Sequence, residues 1–279
     1  MPVAPDRILH SFEHDATLGA IVDTVSNCLG GQLWFRGEAQ DFPIPANSEL
    51  ARVTPRPNLD PITPDFTFGP HSFPLRVLTL YEQDIITCIQ KNPPPDPYFP
   101  SLLTHLDHPG WLALARHHRQ PTRLVDVTWD LLVAVYFACS DAPEKDGFIF
   151  AYSGLWDPNT HHPVKHYKDL YDAAIGDKIP AYRDAEITTP GTLETHAEML
   201  ATETKSIRGD MAYLFRCEDV INERMSTQRG AFIWRGDPTL PLFDGVANTF
   251  AFRIAATAKL GIIRQLNILG INKIELRLP

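Results

Sequence analysis

Apolar residues recur at three- and four-residue intervals in several stretches of the chain and crowd into short unbroken runs in others. Leu18, Ile21, Val22, Val25 and Leu29 share one helical face within residues 15 to 29, which predicts a helix with Asp15 as its cap and Gly30-Gly31 as its end. Gln32 to Arg36 reads as a short buried strand, after which Gly37 allows a turn or a close backbone approach to a ligand. Helical spacing returns from Leu75 to Lys91 through Leu78, Tyr81, Ile85 and Ile89. Leu112 to Arg116 fits a helix, Leu124 to Val127 a strand, and Leu131 to Cys139 a helix buried on most sides. Gly147 to Tyr152, Gly230 to Trp234 and Thr249 to Ile254 read as strands, and Ala256 to Leu269 as a closing helix.

Prolines recur from Val53 to Pro74 and again from Asn92 to Pro100, so both stretches read as irregular insertions rather than linkers. Residues 153 to 210 are polar and Thr-rich, without a strong period. Helices and strands interleave with no steady βαβ rhythm, which predicts an α+β fold. One domain is expected over residues 1 to 279, with the C-terminal strand and helix packed onto the rest.

Within this pattern, polar groups interrupt two apolar stretches where burial would be costly unless each finds a partner. His117, His118, Thr122, Arg123, Asp126 and Thr128 lie between the apolar runs that start at Trp111 and at Leu131. Adjacent histidines on a helix point about 100° apart, so one of His117 and His118 is expected to be structural. Thr122, Asp126 and Thr128 alternate with Arg123, Val125 and Val127, which would place the first set on one face of a strand together with Leu124. Arg36, beside Gly37, has the planar fork that grips a diphosphate. The plainer readings are an Arg36 salt bridge to Glu38 or Asp41, and an interior network in which Asp126 pairs Arg123 or Arg36.

Composition narrows the function classes. The chain has 279 residues, 44% of them hydrophobic, and a formal charge of -9, which disfavours nonspecific adhesion to nucleic acid or acidic membranes. Cys28, Cys88, Cys139 and Cys217 are far apart, with no zinc-ribbon spacing and no signal peptide ahead of them, so a cytoplasmic protein is expected. No apolar run approaches the roughly 18 residues that a bilayer requires. His161, His162 and His166, with Asp157 or Asp169, could be weighed as a metal site, but Pro163 breaks the helix that would align them. No metal is expected, and no phosphate loop, serine elbow or zincin motif is present.

The ordered polar elements resemble the FRG-domain family. The resemblance is carried by Phe35-Arg36-Gly37, Trp111, His117-His118, Pro121-Thr122-Arg123-Leu124, Asp126, Thr128 and Tyr136-Phe137-Ala138, then Asn222, Arg224, Gln228, Gly230 and Phe232, across about residues 30 to 235. Arg119 and Val127 depart from the family pattern, which has a small residue and an aromatic at these places.

The family is similar to ADP-ribosyltransferases, and that similarity implies a split, mostly antiparallel sheet flanked by helices. It implies NAD as a substrate, with Arg36 and Gly37 at the diphosphate, Thr122 and Thr128 at the nicotinamide ribose, Arg123 as a further cofactor-binding residue, and Arg36, His118, Asp126 and Gln228 as catalytic candidates. Gln228 stands where a carboxylate is usual, and an amide cannot offset developing positive charge, so Asp126 or Glu223 would have to supply the field. The implied role is a toxin of a toxin-antitoxin or anti-phage defence system acting on RNA, DNA or protein, with an antitoxin or chaperone partner. NAD hydrolysis in the same pocket and a non-catalytic nucleotide- or partner-binding module are the alternatives.

Overall fold

The computed structural model describes residues 8–29, 33–42, 75–91, 108–117, 120–153, 212–215, 226–235 and 248–276. Seven strands and five helices lie within them: β1 (Ile8–Phe12), α1 (Leu18–Cys28), β2 (Leu33–Glu38), α2 (Leu75–Lys91), α3 (His108–His117), β3 (Leu124–Thr128), α4 (Leu131–Cys139), β4 (Gly147–Ser153), β5 (Ala212–Phe215), β6 (Gly230–Arg235), β7 (Asn248–Ile254) and α5 (Ala256–Ile268). The strands form one sheet in the order β1-β7-β4-β2-β3-β6-β5. β1 runs parallel to β7, and the other described pairs are antiparallel. The fold is therefore α+β with a mostly antiparallel sheet, as the irregular alternation of periods predicts.

Pleating divides the sheet residues between two cores. Phe35, Ile149, Ala151, Phe252 and Ile254 face α1, α4 and α5, where they meet Ile21, Val25, Val133, Ala258 and Ile262. Trp34, Val125, Val127, Phe148, Phe150, Tyr152, Ala231 and Ile233 form a second cluster on the opposite face. β4 is buried from Gly147 through Tyr152, which explains a run of apolar and aromatic residues with no polar alternation.

α4 lies against the sheet at two glycines. A Cβ built on Gly37 would fall 1.9 Å from the Ala134 carbonyl oxygen, and one on Gly147 would fall 2.1 Å from that of Ala138. Gly37 sits inside β2 rather than at a turn, and its missing side chain admits the helix. Helix-on-strand packing is a reason for a glycine at this position, and α4 is apolar all round because it is buried on most sides.

Local chemistry sets the helix ends. Thr17, rather than Asp15, caps α1, its Oγ1 accepting the Ala20 amide at 3.2 Å. Asp130 caps α4 through Oδ1, which accepts the Leu132 amide at 2.9 Å. Ala255 precedes α5 without a side-chain cap, and Asp146 Oδ1 accepts the Ala256 amide at 2.9 Å instead. Lys259 on α5 is buried, and its Nζ donates to the carbonyls of Ala39, Asp141 and Ala142 at 2.6, 3.0 and 3.0 Å. Burial pulls its pKa below the ordinary lysine value. Three carbonyls, of which that of Ala142 also accepts the Lys145 amide, are thereby gathered on one ammonium, fixing α5 to the ends of β2 and α4.

β1 and β5 were not expected from the apolar pattern. The first is an edge strand carrying His10 and Ser11, and the second is four residues long. Gly30, Gly31, both proline-rich stretches and residues 154 to 210 lie outside the described residues. No helix among the described residues is long and apolar enough to cross a membrane.

Candidate functional site

The sheet is thinnest between β2 and β3. β2 pairs with β4 along its whole length, from Leu33–Ser153 to Glu38–Phe148, and β3 pairs with β6 from Leu124–Trp234 to Thr128–Gly230. Between these two ladders the only recorded register pair is Phe35–Thr128. Beyond it the strands part, and side chains take over from backbone.

Arg36 occupies the opening. Its Nη1 donates to the Asp126 carbonyl at 2.9 Å, a polar group on the strand edge that faces β2. Its Nε donates to Glu38 Oε1 at 2.8 Å, and Nη1 lies 3.8 Å from Asp126 Oδ2. From α3, Arg116 donates to that same Oδ2 through Nε at 3.1 Å and Nη2 at 2.8 Å. The result is a chain of alternating charge, Glu38, Arg36, Asp126, Arg116, running outward from the core. Side-chain exposure along it is 2%, 11%, 48% and 20%, so Asp126 presents the most accessible carboxylate. Burial works to lower the Arg36 pKa, but Glu38 and Asp126 outweigh it and raise the value above that of an ordinary arginine. Arg36 is a fixed cation.

Arg123 is spent elsewhere. Its Nε and Nη2 donate to Glu82 Oε2 at 2.9 and 2.7 Å, and its backbone amide donates to Oε1 at 2.8 Å, with both side chains at 1% exposure or less. The arginine expected beside a cofactor therefore locks α2 to the start of β3. Thr122 is buried ahead of the strand rather than on its polar face, where its Oγ1 accepts the Leu124 amide at 3.4 Å. Of the expected polar strand face, Asp126 and Thr128 remain.

Thr128 and Gln228 form a separate group. Thr128 Oγ1 donates to the Gln228 carbonyl at 2.7 Å and accepts the Asp130 amide at 3.0 Å. Gln228 Nε2 donates to the Leu276 carbonyl at 2.9 Å, so this amide ties the turn before β6 to residues near the chain terminus. Arg229, next in sequence, has φ 48° and pairs with Asp130 at 3.0 Å. Beside this turn, Trp129 is 46% exposed and packs edge-on against Trp34 with ring centroids 5.7 Å apart.

The structure thus brings Arg36 and Asp126 together, places Thr128 with Gln228, and puts Arg123 in a buried ion pair. His118, Asn222, Glu223, Arg224 and the histidines at 161, 162 and 166 lie outside the described residues. Among the described residues, no three His, Cys, Asp or Glu side chains gather in a metal-binding group. Arg116 was not singled out from sequence. Its signal was a lone cation on an otherwise apolar helix, next to His117 and ten residues from Asp126.

No curated protein and no solved structure gives a significant match to the chain. A family model described as FRG domain matches residues 31–147, less than half of the chain and ending before Gln228. By that match, the segment that carries Arg36, Arg116 and Asp126 is similar to the FRG domain family.

Proposed function

We propose that the protein is an NAD-dependent ADP-ribosyltransferase whose substrate lies along the opening between β2 and β3. The observation that carries this reading is the single pair Phe35–Thr128, beyond which two otherwise continuous ladders part around charged side chains. Such an opening resembles the split sheet expected of an NAD-binding transferase. Breaking the nicotinamide bond builds positive charge at the ribose, and a carboxylate placed beforehand favours that charge. Asp126 is the half-exposed carboxylate of the site, whereas the Gln228 amide is held by Leu276. Asp126 therefore takes the role sought for Gln228, and Arg36 holds the strand from which it projects. The acceptor is a macromolecule, RNA, DNA or protein, and the proposed setting is a cytoplasmic toxin with an antitoxin or chaperone partner.

The test is incubation of the full chain with labelled NAD and cell extract, with Asp126→Asn as the companion. Transfer of label by the wild type and its loss in the variant support the reading. Release of free ADP-ribose without labelled macromolecule replaces transfer by hydrolysis. A non-catalytic nucleotide-binding module is the second reading, favoured by the engagement of Asp126 with two guanidinium groups. It predicts NAD binding in calorimetry with no nicotinamide release. Absence of both binding and turnover removes the NAD reading altogether.

A further inference from the structure

We infer that the outer face of α5 is a docking site for another protein, one that presents an amphipathic helix with a carboxylate beside its apolar stripe. The inference stands apart from the NAD reading and survives its failure.

α5 has two faces with different fates. Ala258, Lys259, Ile262 and Leu266 are buried. On the far side of the helix, Leu260, Arg264 and Ile268 follow one another at four-residue steps, with Thr257 and Gly261 alongside, and all five are exposed. Leu260 is 62% exposed and Ile268 85%, so the outer face carries an apolar stripe that the core of this chain does not use. The helix is also firmly mounted, because Asp146 holds its first amide and Lys259 ties it to three carbonyls. Such a face needs little reordering to be bound.

Gly261 sharpens the reading. Gly37 and Gly147 are explained by the helix backbone that they admit, but a Cβ built on Gly261 would meet no atom of the described residues within 4 Å. Glycine inside a helix lowers its stability relative to alanine, and nothing in the described packing requires one here. What the glycine does supply is a gap. The ridge of Leu260, Arg264 and Ile268 runs beside the low ridge of Thr257 and Gly261, and a second helix packs by laying its own ridge into such a groove. The missing Cβ lets the two backbones come close.

Charge decides which helix fits. The chain has 34 acidic residues and a net charge of -9, yet α5 contains none of them. Arg36, Arg116, Arg123, Arg229 and Arg253 each pair with a carboxylate. Arg264, in the middle of the stripe, has no ion-pair partner among the described residues. A second copy packed through the same face would set α5 against α5 and offer Arg264 only a like charge, which disfavours self-association. The fitting occupant is a helix of a different protein, with apolar residues three and four apart and an Asp or Glu that meets Arg264.

The experiment places photoreactive p-benzoylphenylalanine at Thr257 of the full chain, irradiates it in its native cells and sequences the cross-linked peptide by mass spectrometry. A synthetic peptide of that sequence is then titrated into the purified full chain, with far-UV circular dichroism confirming the fold of each variant. Expected is a segment of another protein with helical apolar spacing and a carboxylate, whose binding weakens by about tenfold or more with Arg264→Glu. Changing that carboxylate to lysine in the peptide should restore binding to Arg264→Glu and weaken binding to the wild type. Gly261→Ala supplies a readout that a merely structural glycine would not give: Tm rises by roughly 2 °C while affinity for the peptide falls.

Cross-links confined to the chain itself show that one of its own segments covers α5, and cross-links confined to a second copy show self-association. Either result overturns the inference, as does the absence of any cross-link. A captured segment that lacks a carboxylate, or that binds Arg264→Glu as it binds the wild type, overturns it too. So does a Tm lowered by Gly261→Ala, which would assign the glycine to packing within this chain.

Discussion

Gly37 in the centre of the sheet and Ala134 on the helix above it approach so closely that a methyl group on the glycine would fall 1.9 Å from the alanine carbonyl. Because the obstacle is helix backbone rather than a flexible side-chain tip, the helix must move to accept it. Gly37→Ala is expected to cost about 3 kcal/mol, the upper part of the range for overpacked cores, and to lower the urea midpoint without changing the slope. An unchanged midpoint would mean that the helix can lift freely.

Arg36 couples stability to the site. Arg36→Ala removes the 2.8 Å ion pair with buried Glu38 and should destabilise the protein by about 3 kcal/mol. Adding Glu38→Gln should recover a large part of that loss, while nicotinamide release stays at least about 100-fold below wild type because Asp126 has lost its anchor. Thermal melts beside turnover assays separate the two effects, and a double variant that regained activity would assign Arg36 a structural role alone.

Arg123 gives the contrasting case. Its partner Glu82 is fully buried, so Arg123→Met should unfold the chain at markedly lower denaturant, by about 3–5 kcal/mol. In the folded fraction, affinity for NAD should match the wild type. Selective loss of affinity with unchanged stability would return Arg123 to the cofactor site.

Asp146 provides an acid-sensitive lock. Burial tends to raise its pKa, but the Ala256 amide and the Arg253 guanidinium outweigh this and hold it below the ordinary 3.8. A carboxylate whose folded value is depressed contributes stability above its unfolded value and loses it as pH falls through the folded one. Asp146→Asn should therefore be less stable at neutral pH and show a shallower fall in Tm into acid. Parallel acid limbs for the two proteins would rule out Asp146 as the source.

Cysteine chemistry should follow burial. The Cys139 thiol is pushed up to about 12, chiefly by burial, against a smaller opposing pull from Lys259. Reaction requires thiolate, so Cys139 should resist iodoacetamide in the native state and react on unfolding, whereas exposed Cys28 reacts in both. Mass spectrometry of labelled peptides checks this, and native labelling of Cys139 would show that α4 opens readily.

The parts of the fold that were legible in the sequence share a physical property: each forms within a single run of residues. Leu131–Cys139 and Leu75–Lys91 coincide with the expected helices, and the apolar, aromatic β4 differs from expectation by one residue. The edge strand β1 was hidden because exposed Leu9 and His10 and half-buried Ser11 leave no apolar–polar alternation to read. Arg36 and Asp126 stood out as polar groups in apolar surroundings, and the pairing between them was among the expected alternatives. The pairing of Arg123 with Glu82 was not foreseen, since the two are separated by 41 residues and no local period links them. Gly37 announced a need for close approach, but the sequence offers no sign that α4 is the element approaching.

Beside the single register pair between β2 and β3, Arg36 ties the two half-sheets by reaching from β2 to the Asp126 carbonyl of β3. On the proposed function, architecture and recognition would draw on the same few charges at this seam. A substitution that retunes what the seam can grasp also resets how wide it stands, so new specificity is reached most readily by paired changes on both strands.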